Sequence, residues 1–241
     1  MKIEIRFEKK TFHFKQPSGT SRGVLTEKHA WFLYLNTSDS PTKIGIGECS
    51  IIPGLSADFK DIHSYQEKIN QLCISINQGN YTLENISEIF PSLLASPSIL
   101  FGLEVAILDL KNGGKGILFD TEFTRGNRKI PINGLIWMGS ESFMQEQIES
   151  KLKEGFTCIK MKIGAIDFEK EYEILAALRA RYSADVLTLR VDANGAFSHT
   201  EVLGRLAQLA ELKLHSIEQP IKAGNWKEMA NICAKTTLPI A

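Results

Sequence analysis

From residue 130 onward the sequence keeps one rhythm, and that rhythm restricts the fold more than any single motif does. Short apolar runs at 130–137, 158–163, 187–191 and 214–217, with a further one opening at Leu238, alternate with segments at 142–154, 167–183, 200–211 and 226–235 whose apolar residues recur at helical spacing. Units of roughly 25 to 30 residues have the length of strand-helix-strand crossovers, so the pattern predicts a parallel sheet. Periodicity leaves an open doubly wound sheet and a barrel as alternatives. No G-x-G-x-x-G follows any of the runs, which counts against a dinucleotide binder.

Three of these runs end in polar residues of unusual type. Lys160 and Lys162 lie two apart in I-K-M-K-I-G, so on a strand they project from one face of an otherwise apolar segment. Asp192 and Asn194 repeat that spacing in V-D-A-N-G-A, and Glu218 closes S-I-E-Q-P. Parallel neighbouring strands would bring two amines, two carboxylates and an amide to one mouth, where α/β sheets and barrels place their chemistry. Adjacent ammonium groups disfavour each other's charge, which suits Lys162 as a general base with Lys160 as its neighbour. The oxygens of Asp192, Glu218 and Asn194 are hard ligands of the kind Mg²⁺ takes, and no His or Cys stands in these motifs to favour a transition metal. Taken singly, K-x-K reads as a solvated strand end, D-x-N-G as a turn and E-Q-P as a strand stop; their shared position on successive strands is what points to a site. His13, His29, His63, His199 and His215 are scattered and read as surface or satisfied core positions, and Arg190 as buried and structural.

The first half reads differently. Residues 2–14 alternate apolar and polar, pause at 16–23 and resume at 24–35; a third alternating run spans 43–48. The pattern predicts a three-stranded antiparallel sheet, with Gly45 and Gly47 marking close backbone approach. The small polar residues of 17–23 suit a mobile lid or a plain hairpin connection equally. Helical patterns follow at 59–77, 83–90 and 98–111, the last apolar almost all round and so expected between two layers. The domain boundary is expected in the turn-rich stretch before residue 130, giving a first domain over 1–125 and a second over 126–241. With 28 basic and 28 acidic residues the chain offers no field for a polyanion and no basic run that would track nucleic acid. The start lacks a signal-peptide pattern and no stretch nears a membrane span, so a cytoplasmic protein without nucleic-acid or membrane partners is expected. Cys49, Cys73, Cys158 and Cys233 form no C-x-x-C pair and read as reduced, mostly buried thiols. Oligomeric state is left open.

Together, K-M-K at 160–162, D-A-N-G at 192–195 and I-E-Q-P at 217–220, following G-I-G-E-C at 45–49 and A-I-L-D-L at 106–110, resemble the enolase superfamily, muconate-lactonizing-enzyme subgroup. Within it, the S-G-T-S-R-G stretch, the G-E-C-x-x-x-P-G-L-S motif and P-I-N-G-L-I-W-M-G look most like the o-succinylbenzoate synthase branch, a Mg²⁺-dependent dehydratase (hydro-lyase) of menaquinone biosynthesis acting on a small carboxylate. The resemblance implies an α+β capping domain with a lid loop at 17–23, followed by an incomplete enolase-type modified TIM barrel of about four and a half βα units. It implies Lys162 as the base that takes the proton α to a carboxylate and later returns it as acid, with Lys160 as its electrostatic partner. Asp192 and Glu218 would be Mg²⁺ ligands, Asn194 would lie beside them, and Trp137, Thr20 and Ser21 would lie near substrate. A third metal carboxylate and a second lysine are expected from strands past Ala241, so the 241 residues by themselves are expected to be inactive. The rivals are a dipeptide epimerase, N-acylamino acid racemase or cycloisomerase of the same superfamily, and a non-catalytic fragment.

Overall fold

The computed structural model describes residues 1–20 and 23–241, and side chains at 1–15 and 24–241. The chain forms two compact units, one of residues 1–18 and 24–130 and one that includes residues 131–241.

In the first unit, strands β1 (Ile3–Thr20), β2 (Gly23–Thr37) and β3 (Ser40–Ser50) lie in that order in one sheet, β2 and β3 antiparallel. Alternation works here as a pleat requires: Ile3, Ile5, Trp31, Leu33 and Leu35 face one side and are buried. They pack against helices α1 (Ile62–Gln78) and α2 (Pro97–Lys111). Helix α1 starts where Asp61 accepts the Ser64 N–H at 2.8 Å. Helix α2 meets β3 backbone to backbone: a Cβ on Gly47 would lie 1.8 Å from the Gly102 carbonyl oxygen, and one on Gly45 2.2 Å from that of Ala106. The close approach expected of these glycines is therefore real, and any larger residue would push the helix off the strand. Asp109, buried on α2, accepts the Ile46 N–H at 3.0 Å and the Gly116 N–H at 2.7 Å.

Three expectations change in this unit. The segment expected to be helical at 83–90 is a 3₁₀ helix at Ile86–Leu93, because Pro91 supplies no N–H to an α ladder. Helix α2 is not buried all round: Phe101 is 62% exposed, on the side away from the sheet. The expected loop at 17–23 is strand up to Thr20 and again from Gly23; β1 is an edge strand, where Pro17 is tolerated, and Ser21 and Arg22 lie outside the described residues. Of the four thiols, Cys49 and Cys73 are buried and Cys233 is exposed.

In the second unit the chain runs β4 (Gly134–Ile136), α3 (Glu141–Lys153), β5 (Cys158–Lys162), α4 (Phe168–Arg181), β6 (Thr188–Asp192), α5 (Val202–Glu211), β7 (Ser216–Glu218) and α6 (Trp226–Lys235). The strands form a parallel sheet in sequence order, and Ile240 adds a parallel bridge to Ile217. The first strand is shorter than expected: Ile130 and Ile132 are 57% and 72% exposed, and pairing with β5 begins only at Gly134. Ile136, Ile159, Met161, Leu189, Val191 and Ile217 form one core with Ile148 of α3, Leu175 of α4, Leu206 of α5 and Ile232 of α6. All four helices thus cover the same face of the sheet. A doubly wound sheet would carry helices on both faces, so this is the singly wound arrangement of a barrel wall.

Candidate active site

The pleat that buries Ile159, Met161, Leu189, Val191 and Ile217 turns their neighbours to the opposite face. Register then fixes their heights. Lys160 stands beside Arg190 and Arg190 beside Ser216; one step further along, Lys162 stands beside Asp192 and Asp192 beside Glu218. The uppermost row lies at the C-terminal ends of the strands.

The five residues singled out from the sequence come together. The Lys162 ammonium donates to Asp192 Oδ2 at 3.0 Å and to Asn194 Oδ1 at 2.9 Å. Lys160 lies 3.6 Å from the same Asp192 oxygen and is in direct contact with the Glu218 carboxylate. Asp192 is the buried hub, its side chain 3% exposed, while Glu218 at 47% opens toward solvent. Asp192 Oδ1 also accepts the Asn194 N–H at 3.0 Å, which fixes the carboxylate plane. Asn194 and Gln219 hold left-handed backbone, φ +45° and +42°, two residues and one residue past the acidic ends of their strands. Such strain persists where surroundings enforce it. Here the two following loops are tied by Ala193 N–H to Glu218 O at 3.1 Å, Gly195 N–H to Gln219 O at 2.7 Å and Phe197 N–H to Pro220 O at 3.0 Å.

One electrostatic expectation is reversed. Burial works to lower the Lys160 pKa, but the hydrogen bond to Glu218 and the nearby Asp192 outweigh it, and the net shift is upward. The carboxylates stand between the amines, so mutual repulsion is not the dominant effect.

Trp137 follows β4, and the register places it level with Lys162; Gln147 of α3 clamps its backbone, accepting its N–H at 3.0 Å and donating to its carbonyl at 3.2 Å. Ser21 lies outside the described residues, and so does the side chain of Thr20.

Sequence reasoning missed the row beneath. Arg190 is not a buried core residue: it shares the polar face with Lys160, and its Nε is a buried donor without a partner among the described residues. It lines a cavity of about 340 Å³ with Asn133, Lys160, His215, Ser216 and Glu218. Counting two residues back from Asp192 and Glu218 would have found this row. Also missed was Glu171 on α4, which occupies a core position of that helix although it is acidic.

The oxygens at the rim fit a hard divalent cation: two carboxylates and an amide, the number Mg²⁺ takes when water and substrate fill its remaining positions. Among the described residues no group of three or more His, Cys, Asp and Glu is placed to hold a metal.

A singly wound parallel wall with its polar groups at the strand ends has the architecture of a barrel enzyme, and the enolase C-terminal domain-like family matches residues 143–241. The o-succinylbenzoate synthase of Desulfotalea psychrophila is 43% identical over 99% of this chain and 70% of its own length. This chain belongs to the o-succinylbenzoate synthase family of the enolase superfamily, a family of enzymes. The crystal structure of MenC from the same organism matches with a TM-score of 0.84 at 38% identity, covering 100% of this chain and 70% of that one. The fold is also that of an o-succinylbenzoate synthase from Thermosynechococcus elongatus, described as complexed with Mg in the active site (TM-score 0.77, 23% identity, 98% of this chain and 67% of that one). Among the described residues no helix is long and apolar enough to cross a membrane.

Proposed function

We propose that this chain supplies the base and two metal ligands of an o-succinylbenzoate synthase, which dehydrates a cyclohexadiene carboxylate to o-succinylbenzoate. Lys162 is the base. Its amine takes the proton α to the substrate carboxylate, and its ammonium then gives that proton to the departing hydroxyl, so the C–H and C–O bonds break and water leaves. Asp192 and Asn194 aim the Lys162 amine, and Lys160 places a second positive charge beside the enolate as it forms. Asp192 and Glu218 would hold Mg²⁺, which when bound neutralises the substrate carboxylate and the charge that develops on it. Thr20, Ser21 and Trp137 are proposed substrate contacts, with 17–23 as the lid, and the catalytic domain is proposed to begin near residue 126.

The observation that carries this reading is the chain of contacts Lys162–Asp192–Lys160–Glu218 toward the C-terminal ends of the strands. Turnover with Mg²⁺ is measured for the chain alone and for the chain joined to the part of the Desulfotalea protein outside the match. The joined protein is expected to turn over, the chain alone is not, and Lys162→Ala in the joined protein is expected to lower kcat by about 10³-fold or more. A joined protein that is inactive, or one indifferent to Lys162→Ala, overturns the reading. Exchange of the α-proton for deuterium without loss of water would assign it to a racemase instead.

A further inference from the structure

Helix α4 buries Phe168, Glu171, Ile174, Leu175 and Leu178 along one face, so a carboxylate occupies a position its periodicity reserves for an apolar side chain. Glu171 is 1% exposed. A charge there is tolerable only if it is fully hydrogen-bonded. Its two oxygens accept the Gly164 N–H at 2.8 and 2.9 Å, and one of them also accepts those of Ala165 at 3.3 Å and Ile166 at 3.4 Å. Three consecutive backbone N–H groups converging on one anion make a nest of the kind that elsewhere binds phosphate. Here the anion comes from the chain itself. Gly164, at φ +96°, makes the nest possible, and a Cβ on it would lie 2.3 Å from that of Ala196 in the loop after β6. The nest begins two residues past Lys162, and the intervening Ile163 donates its N–H to the Asp192 carbonyl at 2.9 Å. The cation facing this cluster is Arg205 of α5, which is paired with Glu201 at 2.9 Å and lies over the Phe168 and Phe197 rings.

We propose that Glu171 is a positioning residue, an internal anion that closes the 164–166 nest and thereby fixes the end of β5, holding the Lys162 amine against Asp192 and Asn194. It touches no reacting atom. Its effect on turnover rests on the proposed dehydratase reading; its hold on the nest does not.

Two variants and two readouts test it. Glu171→Ala leaves the nest with a space the size of a small carboxylate, whereas Glu171→Gln fills that space with a group that turns an N–H toward the donors. Amide hydrogen exchange on the chain itself is expected to speed by about tenfold or more at Gly164, Ala165 and Ile166 in both variants, while Leu189 and Val191 of β6 keep their protection. Formate is expected to restore protection, saturably, in Glu171→Ala but not in Glu171→Gln. In the protein joined as above, Glu171→Ala is expected to lose about tenfold or more in kcat with KM changed by less than about twofold, and formate to recover kcat. Unchanged exchange at 164–166, a loss spread evenly over β6, no response to formate in Glu171→Ala, or kcat unaffected in an active protein would each overturn the proposal. Exchange is read without substrate, so failure of the dehydratase reading is distinguishable from failure of the nest. Should Glu171→Ala not fold, loss of protection confined to 164–166 in Glu171→Gln supports the proposal, and unchanged exchange there overturns it.

Discussion

Burial alone would lower the Lys160 pKa, but Glu218 and Asp192 raise it on balance, and the same Asp192 carboxylate accepts a hydrogen bond from Lys162. Burial decides which of the two acidic partners matters more for folding. Asp192 is nearly sealed, so Asp192→Ala leaves Lys162 with the Asn194 amide oxygen and Lys160 with Glu218, and is expected to cost about 2 kcal/mol or more in denaturant unfolding. Glu218 is about half exposed and water can replace it, so Glu218→Gln is expected to change stability by less than about 1 kcal/mol. Glu171 gives a pH signature of its own. Burial raises its pKa, opposed by the backbone N–H groups and Arg205, so the folded chain binds this proton more readily than the unfolded one. The group therefore favours folding most at low pH, and that contribution falls as pH rises from the unfolded carboxylate range, about 4.3, through the raised folded value. The stability of wild type minus that of Glu171→Gln is expected to decline across that window and to be level above it, as followed by urea unfolding at stepped pH.

At the scale of elements, the contact of α2 with β3 depends on having no side chain at Gly45, Gly47 and Gly102. Gly47→Ala places a methyl group into the Gly102 carbonyl, where neither backbone can yield cheaply, and is expected to cost about 2 kcal/mol or more, seen as a lowered Tm. Gly45 and Gly47 were legible in the sequence, since they alternate inside a strand pattern and little else explains them there; Gly102 was not, because it sits inside an apolar helical run. Strands β5, β6 and β7 and helices α3 to α6 were legible because their periods differ clearly, two residues against 3.6. The shortening of β4 was not, because Ile130 and Ile132 look like strand residues and only the absence of a partner before Gly134 leaves them exposed. The rim of Lys160, Lys162, Asp192, Asn194 and Glu218 was visible from same-face spacing alone. Arg190 and Glu171 were not, because each looks ordinary in one dimension: one sits before a valine in a strand, the other in a helix rich in acids, and only the neighbouring strand or loop reveals its task.

At the scale of the molecule, the two hydrophobic clusters among the described residues share no member: one is built from positions 3–110, the other from 136–238. Each unit therefore owns the apolar burial that opposes its own chain entropy. Leu33→Ala, at a fully buried position of the first cluster, is expected to cost about 2–5 kcal/mol there. Hydrogen exchange is expected to show the loss at Trp31, Leu35 and Ile69 while β6 amides keep their rates; equal acceleration in both halves would show that they unfold as one.

The pairing of β5 with β6, residue against residue from Cys158↔Thr188 to Lys162↔Asp192, sets a rule for how the gene can change. With the start of β5 held in register, removing the codon for Ile159 would swing methionine and isoleucine into the mouth and drive both amines into the oily layer beneath the helices. Drift along this strand can therefore exchange one letter for another, but its length can grow or shrink only by twos.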